Sequence, residues 1–193
     1  CLCSRDRLFF SFRLIMNDPN TLDTTIERLI ELLDLESIEE NIFRGESQDI
    51  GSPQVFGGQV LGQALTAASR TVKDRNVHSL HAYFLRRGDF KAPIVYEVDR
   101  ARDGGSFSNR RVIAVQHGEQ IFNMTASFQK PEEGLEHQSE MPSVAPPEEL
   151  DDLQDLIKPE WIEQLPQRIQ RMLTRQRPFD VRPVELPHFL SKT

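Results

Sequence analysis

The residues best suited to chemistry are two adjacent glycines, Gly57 and Gly58, followed by Gln59 at the start of a helix-like segment. Glycine adopts positive φ readily and lets a ligand approach the backbone closely. The first turn of a helix leaves N–H groups unpaired, and its dipole favours negative charge. This turn therefore predicts a site that polarises a carbonyl or binds a phosphate. A Gly-Gly pair before a helix is, however, more often just a tight turn.

Other residue types offer fewer sites. The chain has no Gly-x-x-x-x-Gly-Lys loop, no Gly-x-Ser-x-Gly elbow and no His-Glu-x-x-His motif. His78 and His81 are three apart on a predicted strand, which places them on opposite faces and argues against a shared metal. His78 remains a candidate substrate-binding residue, with a packing role as the alternative. Asp89 and Asp103 adjoin glycines and are predicted to be turn residues. Gln59 either orients a water or satisfies backbone groups.

The hydrophobic pattern predicts the elements that position these residues. Residues 21–40 are predicted to form a helix, with Thr24 and Glu27 at capping-box spacing. Residues 54–71 are predicted to form a second helix, opened by the glycines. Small residues make it thin, so it can lie close against a sheet. The predicted strands are 43–49, 78–86, 94–102, 106–116 and 120–129.

Short turns connect the last three strands. Asp103-Gly104-Gly105 and His117-Gly118 supply the turn residues. Consecutive hairpins predict an antiparallel sheet, and a long helix laid across it would bury the apolar face. The predicted fold class is α+β.

The chain is predicted to divide into four parts. Residues 1–16 lack an initiator Met and are predicted to be a non-native or upstream extension. Residues 21–131 form the N-terminal domain. Residues 132–176 form an acidic, proline-rich linker with one short helix near 161–175, limited by Pro166. Residues 177–193 begin a second unit, opened by a strand at 179–185.

Composition excludes several function classes. The formal net charge of −7 argues against nucleic-acid binding, which needs clustered Lys and Arg. No apolar run approaches the roughly 18–20 residues that span a bilayer, so no membrane association is predicted. The two cysteines, Cys1 and Cys3, cannot staple a fold, and a reducing compartment, the cytoplasm, is predicted.

Five strings, in this order and spacing, resemble acyl-CoA thioesterase II, the bacterial enzyme related to peroxisomal long-chain acyl-CoA thioesterases. They are Phe43-Arg-Gly-Glu-Ser47, Gln54-Val-Phe-Gly-Gly-Gln-Val-Leu-Gly-Gln-Ala-Leu65, His78-Ser-Leu-His-Ala-Tyr-Phe-Leu-Arg-Arg-Gly-Asp89, Arg102-Asp-Gly-Gly-Ser-Phe-Ser-Asn-Arg-Arg-Val112 and Ile121-Phe-Asn-Met-Thr-Ala-Ser-Phe-Gln129. The resemblance runs from about Leu22 to the end and is most specific between 43 and 130. It implies a double hotdog fold, two fused helix-on-sheet units, and hydrolysis of acyl-CoA to free fatty acid and CoA without metal or cofactor.

The resemblance also implies where the chemistry lies. The family's Asp, Thr or Ser, and Gln that orient the attacking water belong to its second hotdog, and this chain stops at Thr193 where that unit starts. No residue here is therefore assigned as catalytic. Gly57, Gly58, Gln59 and His78 are predicted to contact acyl-CoA. The chain is expected to be the first unit of a double hotdog with the second truncated, to have little turnover alone, and to form a homo-oligomer.

Two other functions stay open. One is a non-catalytic single-hotdog module that binds acyl-CoA or dimerises. The other is a single-hotdog dehydratase, which requires a His and an acidic residue at the helix. His78 is the nearby histidine candidate for it, and it has no convincing acidic partner in the sequence.

Overall fold

A computed structural model describes residues 19–49, 53–157, 159–175 and 177–185. The predicted extension at 1–16 and residues 186–193 of the predicted second unit lie outside the described residues. The elements of the N-terminal part are α1 (Pro19–Leu33), β1 (Glu36–Glu39), β2 (Ile42–Gly45), α2 (Gly57–Arg70), β3 (Asn76–Phe84), β4 (Ile94–Asp103), β5 (Phe107–Gln116) and β6 (Glu119–Gln129).

The first predicted helix is shorter than expected and begins earlier. It runs over Pro19–Leu33, so Thr24 lies inside the helix and not at its N-cap. The prediction of helix for residues 34–40 is wrong, because β1 forms there and pairs antiparallel with β2. Asn41 makes the turn between them at φ 66°, a conformation that Asn tolerates better than most residues.

The glycine-opened helix is confirmed as α2, three residues shorter at its start than predicted. Its buried face consists of Gln59, Val60, Gln63, Ala64, Ala67 and Ala68. Small side chains on this face let the helix lie close to the sheet, and α2 contacts β2, β3, β4, β5 and β6. On its other side a Cβ at Gly62 would lie 3.0 Å from Leu33 Cδ2, so α1 and α2 also pack closely.

The sheet has six strands in the order β1-β2-β4-β5-β6-β3, and every neighbouring pair is antiparallel. The β5–β6 turn places His117 at φ 53° and Gly118 at φ 76°, as a tight hairpin requires. Alternate residues of the central strands face α2 and form the core, among them Tyr96, Val112 and Phe122, all fully buried. The predicted α+β class is confirmed.

Strand β3 closes one side of the sheet and is largely exposed. It pairs with β6 alone within the described residues, so its second backbone edge carries unpaired groups. Leu80 and Phe84 lie on the same face of β3, because they are an even number of residues apart. They pair with the buried Ala126 and Phe122, yet they are 40% and 57% exposed. The apolar face of the sheet therefore continues beyond the part that α2 covers.

The predicted linker contains more structure than one helix. It holds a 3₁₀ turn (Pro147–Glu149), α3 (Leu153–Leu156), α4 (Pro159–Gln164) and α5 (Gln167–Thr174). Pro166 divides α4 from α5 and is the residue before the first turn of α5. The strand predicted at 179–185 is absent from the described residues 177–185. One reason is that the Val181 carbonyl accepts a hydrogen bond from the Leu153 amide at 2.7 Å, a loop contact and not a sheet ladder.

Candidate functional site

The start of α2 presents free backbone donors. The residue before the helix, Phe56, is extended at φ −67° and ψ 126° and supplies no side-chain cap. The amides of Gln59 and Val60 both donate to the Phe56 carbonyl, at 3.0 and 3.3 Å. The amides of Gly57 and Gly58 have no acceptor among the described residues. Two N–H donors at the positive end of a 14-residue helix form a site for a carbonyl oxygen or an anion.

Aromatic rings explain why both positions are glycine. A Cβ at Gly57 would lie 3.1 Å from Phe84 Cε1, and one at Gly58 would lie 2.9 Å from Phe56 Cζ. The expectation that these glycines serve for positive φ is wrong, since of the described glycines Gly118 has positive φ and these two do not. Glycine at these positions allows the rings to approach the backbone closely, and the backbone conformation does not require it.

An apolar surface adjoins the two donors. Phe84 is 57% exposed and its ring lies 5.0 Å from that of the buried Phe122, centroid to centroid. Phe56 is exposed to a similar extent. An exposed aromatic pair beside unpaired N–H groups suits a ligand that joins a polar carbonyl to an apolar chain.

Gln59 is buried and its side chain is already engaged. Its Nε2 donates to the Glu46 carbonyl at 3.1 Å, and its Oε1 accepts from the Gln48 amide at 3.3 Å. Gln59 thereby holds the 46–48 segment against α2. Of the two roles open from the sequence, this geometry favours satisfaction of backbone groups over orientation of a water.

Gln63 extends this network and was not identified from the sequence. It is fully buried, donates to the carbonyls of Leu32 and Glu46, and accepts from the Tyr96 hydroxyl at 2.7 Å. Burial raises the pKa of Tyr96, so the phenol stays protonated and donates. The sequence signal was available: two glutamines four residues apart lie on the small-residue face of a helix, where polar residues require partners.

His78 does not join the helix start. Its ring lies 2.9 Å from Ser127 Oγ and makes an edge contact with Phe107. Phe84, which contacts Gly57, is six residues further along β3, about 20 Å at the usual rise per strand residue. The structure thus brings Gly57, Gly58 and Gln59 together and places His78 at the other end of the strand.

Asp89 lies close to the helix start. The neighbouring Gly88 accepts a hydrogen bond from the Val55 amide at 3.0 Å. The Lys91 amide, at 2.9 Å, and then His117, at 3.2 Å, lower the pKa of the Asp89 carboxyl. A carboxylate stabilised in this way is a weak proton acceptor, which makes Asp89 a poor general base at neutral pH. Its bond to Lys91 fits the turn role expected of it.

No group of three or more His, Cys, Asp or Glu side chains in the described ranges is arranged to hold a metal ion. Among those same residues no helix is long and apolar enough to cross a membrane.

Residues 44–129 match the family model of the acyl-CoA thioesterase N-terminal domain. Over these residues the chain is similar to the N-terminal domain of acyl-CoA thioesterases. Acyl-CoA thioesterase 2 of Haemophilus influenzae is 48% identical over 158 residues, which cover 81% of this chain and 55% of the relative. Human acyl-coenzyme A thioesterase 8 is 44% identical over 160 residues, covering 79% and 50%. The chain spans about half the length of the curated relatives it matches.

Solved structures agree with the family. The acyl-CoA thioesterase II TesB2 of Mycobacterium marinum is 53% identical, with a TM-score of 0.59 over 65% of this chain and 46% of that one. A tesB protein of Mycobacterium avium subs paratuberculosis is 35% identical, with a TM-score of 0.61 over 64% and 50%. A hot dog fold protein from Alicyclobacillus acidocaldarius, 23% identical with a TM-score of 0.58 over 68% of this chain and 50% of that one, supports the fold alone. The predicted hotdog fold is confirmed: α2 is its central helix, and the coverage fits one unit.

Proposed function

We propose that this chain supplies the first hotdog unit of an acyl-CoA thioesterase, which hydrolyses acyl-CoA to a free fatty acid and CoA. One observation carries the proposal: the amides of Gly57 and Gly58 have no hydrogen-bond acceptor among the described residues and lie beside exposed aromatic rings. The residues around them match a thioesterase family model. Two relatives whose names are those of acyl-CoA thioesterases are 48% and 44% identical to this chain over the matched residues.

The proposed site binds the thioester and polarises it. Amide donors at a helix N-terminus stabilise the negative charge that develops on the carbonyl oxygen as water attacks. Gly57 and Gly58 are the proposed contacts with that oxygen, and Phe56 and Phe84 with the adjoining apolar carbons. Gln59 supports the site through the 46–48 backbone. His78, a strand length away, is left out of the thioester contacts.

Hydrolysis also needs a base to activate water. Asp89, a carboxylate beside the Gly88 that bonds Val55, has a lowered pKa and suits this role poorly. We therefore propose that the described residues bind and polarise acyl-CoA and that no residue among them is catalytic. No metal or cofactor is part of this proposal.

Two measurements on this chain test the proposal. Titration with a non-hydrolysable acyl-CoA thioether should give saturable binding, and a thiol-release assay with acyl-CoA should give little turnover. Absence of binding would contradict the proposed acyl-CoA site. Turnover at a normal thioesterase rate would contradict the proposal that none of the described residues is catalytic.

The lack of a good base favours one alternative, a non-catalytic acyl-CoA-binding or dimerisation module. Mixing this chain with the second half of the Haemophilus influenzae relative distinguishes the two. The thioesterase proposal expects thiol release that neither piece gives alone. If this chain binds acyl-CoA but its stable complex with the second half releases no thiol, the result supports the non-catalytic module.

We further propose that the chain forms a homo-oligomer through β3. Its unpaired edge and the exposed Leu80 and Phe84 continue the apolar face of the sheet beyond α2. Sedimentation at micromolar concentration should give a dimer, and Leu80→Lys should give a monomer. The matched control is Ile113→Lys, which is 38% exposed on a central strand. A monomeric unmodified chain, or equal effects of both substitutions, would contradict this assembly.

The compartment is proposed from composition. Cysteine occurs at positions 1 and 3 and nowhere in the hotdog domain, so the domain does not depend on disulfides. We propose the cytoplasm on this ground.

A further inference from the structure

A polar cavity of about 460 Å³ lies at the opposite end of α2 from the two glycines. The end of α2, the loop after it, the β1–β2 turn, β4 and β5 form its walls. A 14-residue helix spans about 20 Å, so this cavity is separate from the helix start.

Positive charge predominates in the lining. The cationic residues are Arg70, Lys73, Arg75, Arg100 and Arg110. Glu40 and Asp103 are the carboxylates. The lining therefore has a formal excess of three positive charges, in a chain whose formal net charge is −7. A concentration of one sign against the sign of the whole chain raises the local concentration of the opposite ion.

Arg110 is a fixed part of the wall. Its side chain is 1% exposed and its donors are used by the Asp103 carboxylate at 2.7 Å, by Thr71 Oγ1 and by backbone carbonyls. Arg110 therefore positions the end of α2 and is not itself available to a ligand. Its charge, partly offset by Asp103, still contributes to the potential in the cavity.

Two other cations have unused capacity. Lys73 is exposed and makes no hydrogen bond or ion pair with the described part of the chain. Arg75 is mostly buried; its terminal nitrogens bond Ser108 and the carbonyls of Gly104 and Gly105, but its Nε–H is buried without an acceptor. A buried donor without a partner is unusual in a folded protein. Because this nitrogen is buried, Arg75 adds positive charge to the wall, and Lys73 is the cation that a ligand can reach.

The dipole of α2 opposes the binding of an anion at this end of the helix. The C-terminal end of a helix carries the equivalent of about half a negative charge. Arg110 already donates to the carbonyl of Thr71, just beyond the last residue of α2. Asp34, outside the lining, pairs with Arg70 and lowers the excess from three positive charges to two. That excess still exceeds the helix term, so the balance favours an anion.

We propose that this cavity binds a phosphate-bearing anion, with Lys73 as its contact and Arg75 adding positive charge to the wall. The Lys73 ammonium is a compact cation that binds phosphate oxygens, and the arginines of the wall favour the same negative charge. Binding of a phosphate group here is independent of the thioesterase function, whereas a CoA ester as the ligand rests on it. Its ligand could be a free phosphate or diphosphate, or the phosphorylated nucleotide end of a CoA ester.

Calorimetric titration of the full chain at low ionic strength tests the site. The probes are inorganic pyrophosphate and adenosine 3′,5′-bisphosphate, and the variant is Lys73→Gln. The exposed Lys130→Gln, outside the cavity, is the matched control. Lys73→Gln should weaken binding of pyrophosphate by about tenfold or more, the scale of one lost charge-assisted contact, and Lys130→Gln by less than about twofold.

The probes distinguish the sources of the phosphate. Tighter binding of adenosine bisphosphate than of pyrophosphate, with the same Lys73 dependence, supports the site and identifies the nucleotide end of CoA. Pyrophosphate binding that is equal or tighter supports the site and identifies a free phosphate. No saturable binding of either probe at millimolar concentration overturns the proposal. Equal weakening by Lys73→Gln and Lys130→Gln also overturns the proposal, because the effect would then come from the loss of one positive charge anywhere on the chain.

Discussion

The hydrogen bond between Tyr96 and Gln63 offers the sharpest test of how α2 is fixed on the sheet. Gln63→Met keeps the length of the side chain but removes the acceptor of the Tyr96 hydroxyl, 2.7 Å away, and the donor to Leu32 and Glu46. Both side chains are fully buried, so water cannot replace the lost partner. An unsatisfied buried hydroxyl costs about 1–3 kcal/mol.

The other groups that Gln63 contacts lose less. The Glu46 carbonyl still accepts from Gln59 Nε2, whereas the Leu32 carbonyl loses the side-chain donor it has from Gln63. One net hydrogen bond contributes about 0.5–1.5 kcal/mol. Gln63→Met should therefore lower the free energy of unfolding by about 2–4 kcal/mol, most of it from the stranded Tyr96 hydroxyl.

A double-mutant cycle isolates that hydroxyl. Tyr96→Phe removes the stranded donor, so Gln63→Met combined with Tyr96→Phe should be more stable than the sum of the single effects predicts. The expected coupling is about 1–2 kcal/mol, within the usual range for residues in contact. Urea unfolding followed by far-UV circular dichroism measures it, and the loss for Gln63→Met corresponds to a midpoint shift of about 1–2 M.

Gln120→Met is the control, since the Gln120 side chain has no hydrogen bond within the described residues and it should change stability by less than about 0.5 kcal/mol. Coupling below about 0.5 kcal/mol between Gln63 and Tyr96 would refute the reasoning, because the two losses would then be independent.

Two further predictions concern the helix start and the cavity. Gly58→Ala pushes a methyl group against the Phe56 ring and should weaken binding of an acyl-CoA thioether severalfold with little loss of stability. In the control Gly105→Ala the added methyl group meets no atom within 4 Å, so binding should be unchanged. Equal effects of the two substitutions on binding would contradict the site. Hydrogen bonds, first from Ser108 and then from Arg110, hold the pKa of the Asp103 carboxyl below 3.8. The stability they add is therefore present above about pH 4 and lost as pH falls through the lower folded pKa. The difference in unfolding free energy between the unmodified chain and Asp103→Asn should be constant from about pH 5 to 7 and shrink below 3.8; a difference that grows in acid would contradict this sign.

Local pattern predicted most of the elements. Alternating apolar residues and the His117-Gly118 turn predicted the β5–β6 hairpin, because both depend on neighbouring residues alone. The small-residue face of α2 likewise predicted a helix lying close to a sheet. The hotdog family followed from the strings between Phe43 and Gln129, and the family comparison confirmed it.

Segments whose state depends on distant partners were harder to predict. Glu36–Glu39 continues the polar and apolar spacing of α1, yet it becomes a strand because β2 offers a free edge to pair with. The segment at 179–185 has a strand-like sequence, but residues 177–185 remain irregular without a partner strand. Backbone pairing across the sheet overrides local preference in such cases.

By itself, the sequence determined that a glycine-opened helix lies within residues 54–71 and that a sheet lies under it. Only the tertiary structure decided what surrounds that helix start, because strand order is set by contacts between residues far apart in the chain. Pairing β3 with β6 places Phe84 against Gly57 and removes His78 to the far end. Because the 46–48 segment packs on α2, the Gln59 side chain bonds backbone groups of that segment. The cationic cavity forms where β4, β5 and the end of α2 meet, and no sequence motif predicted it.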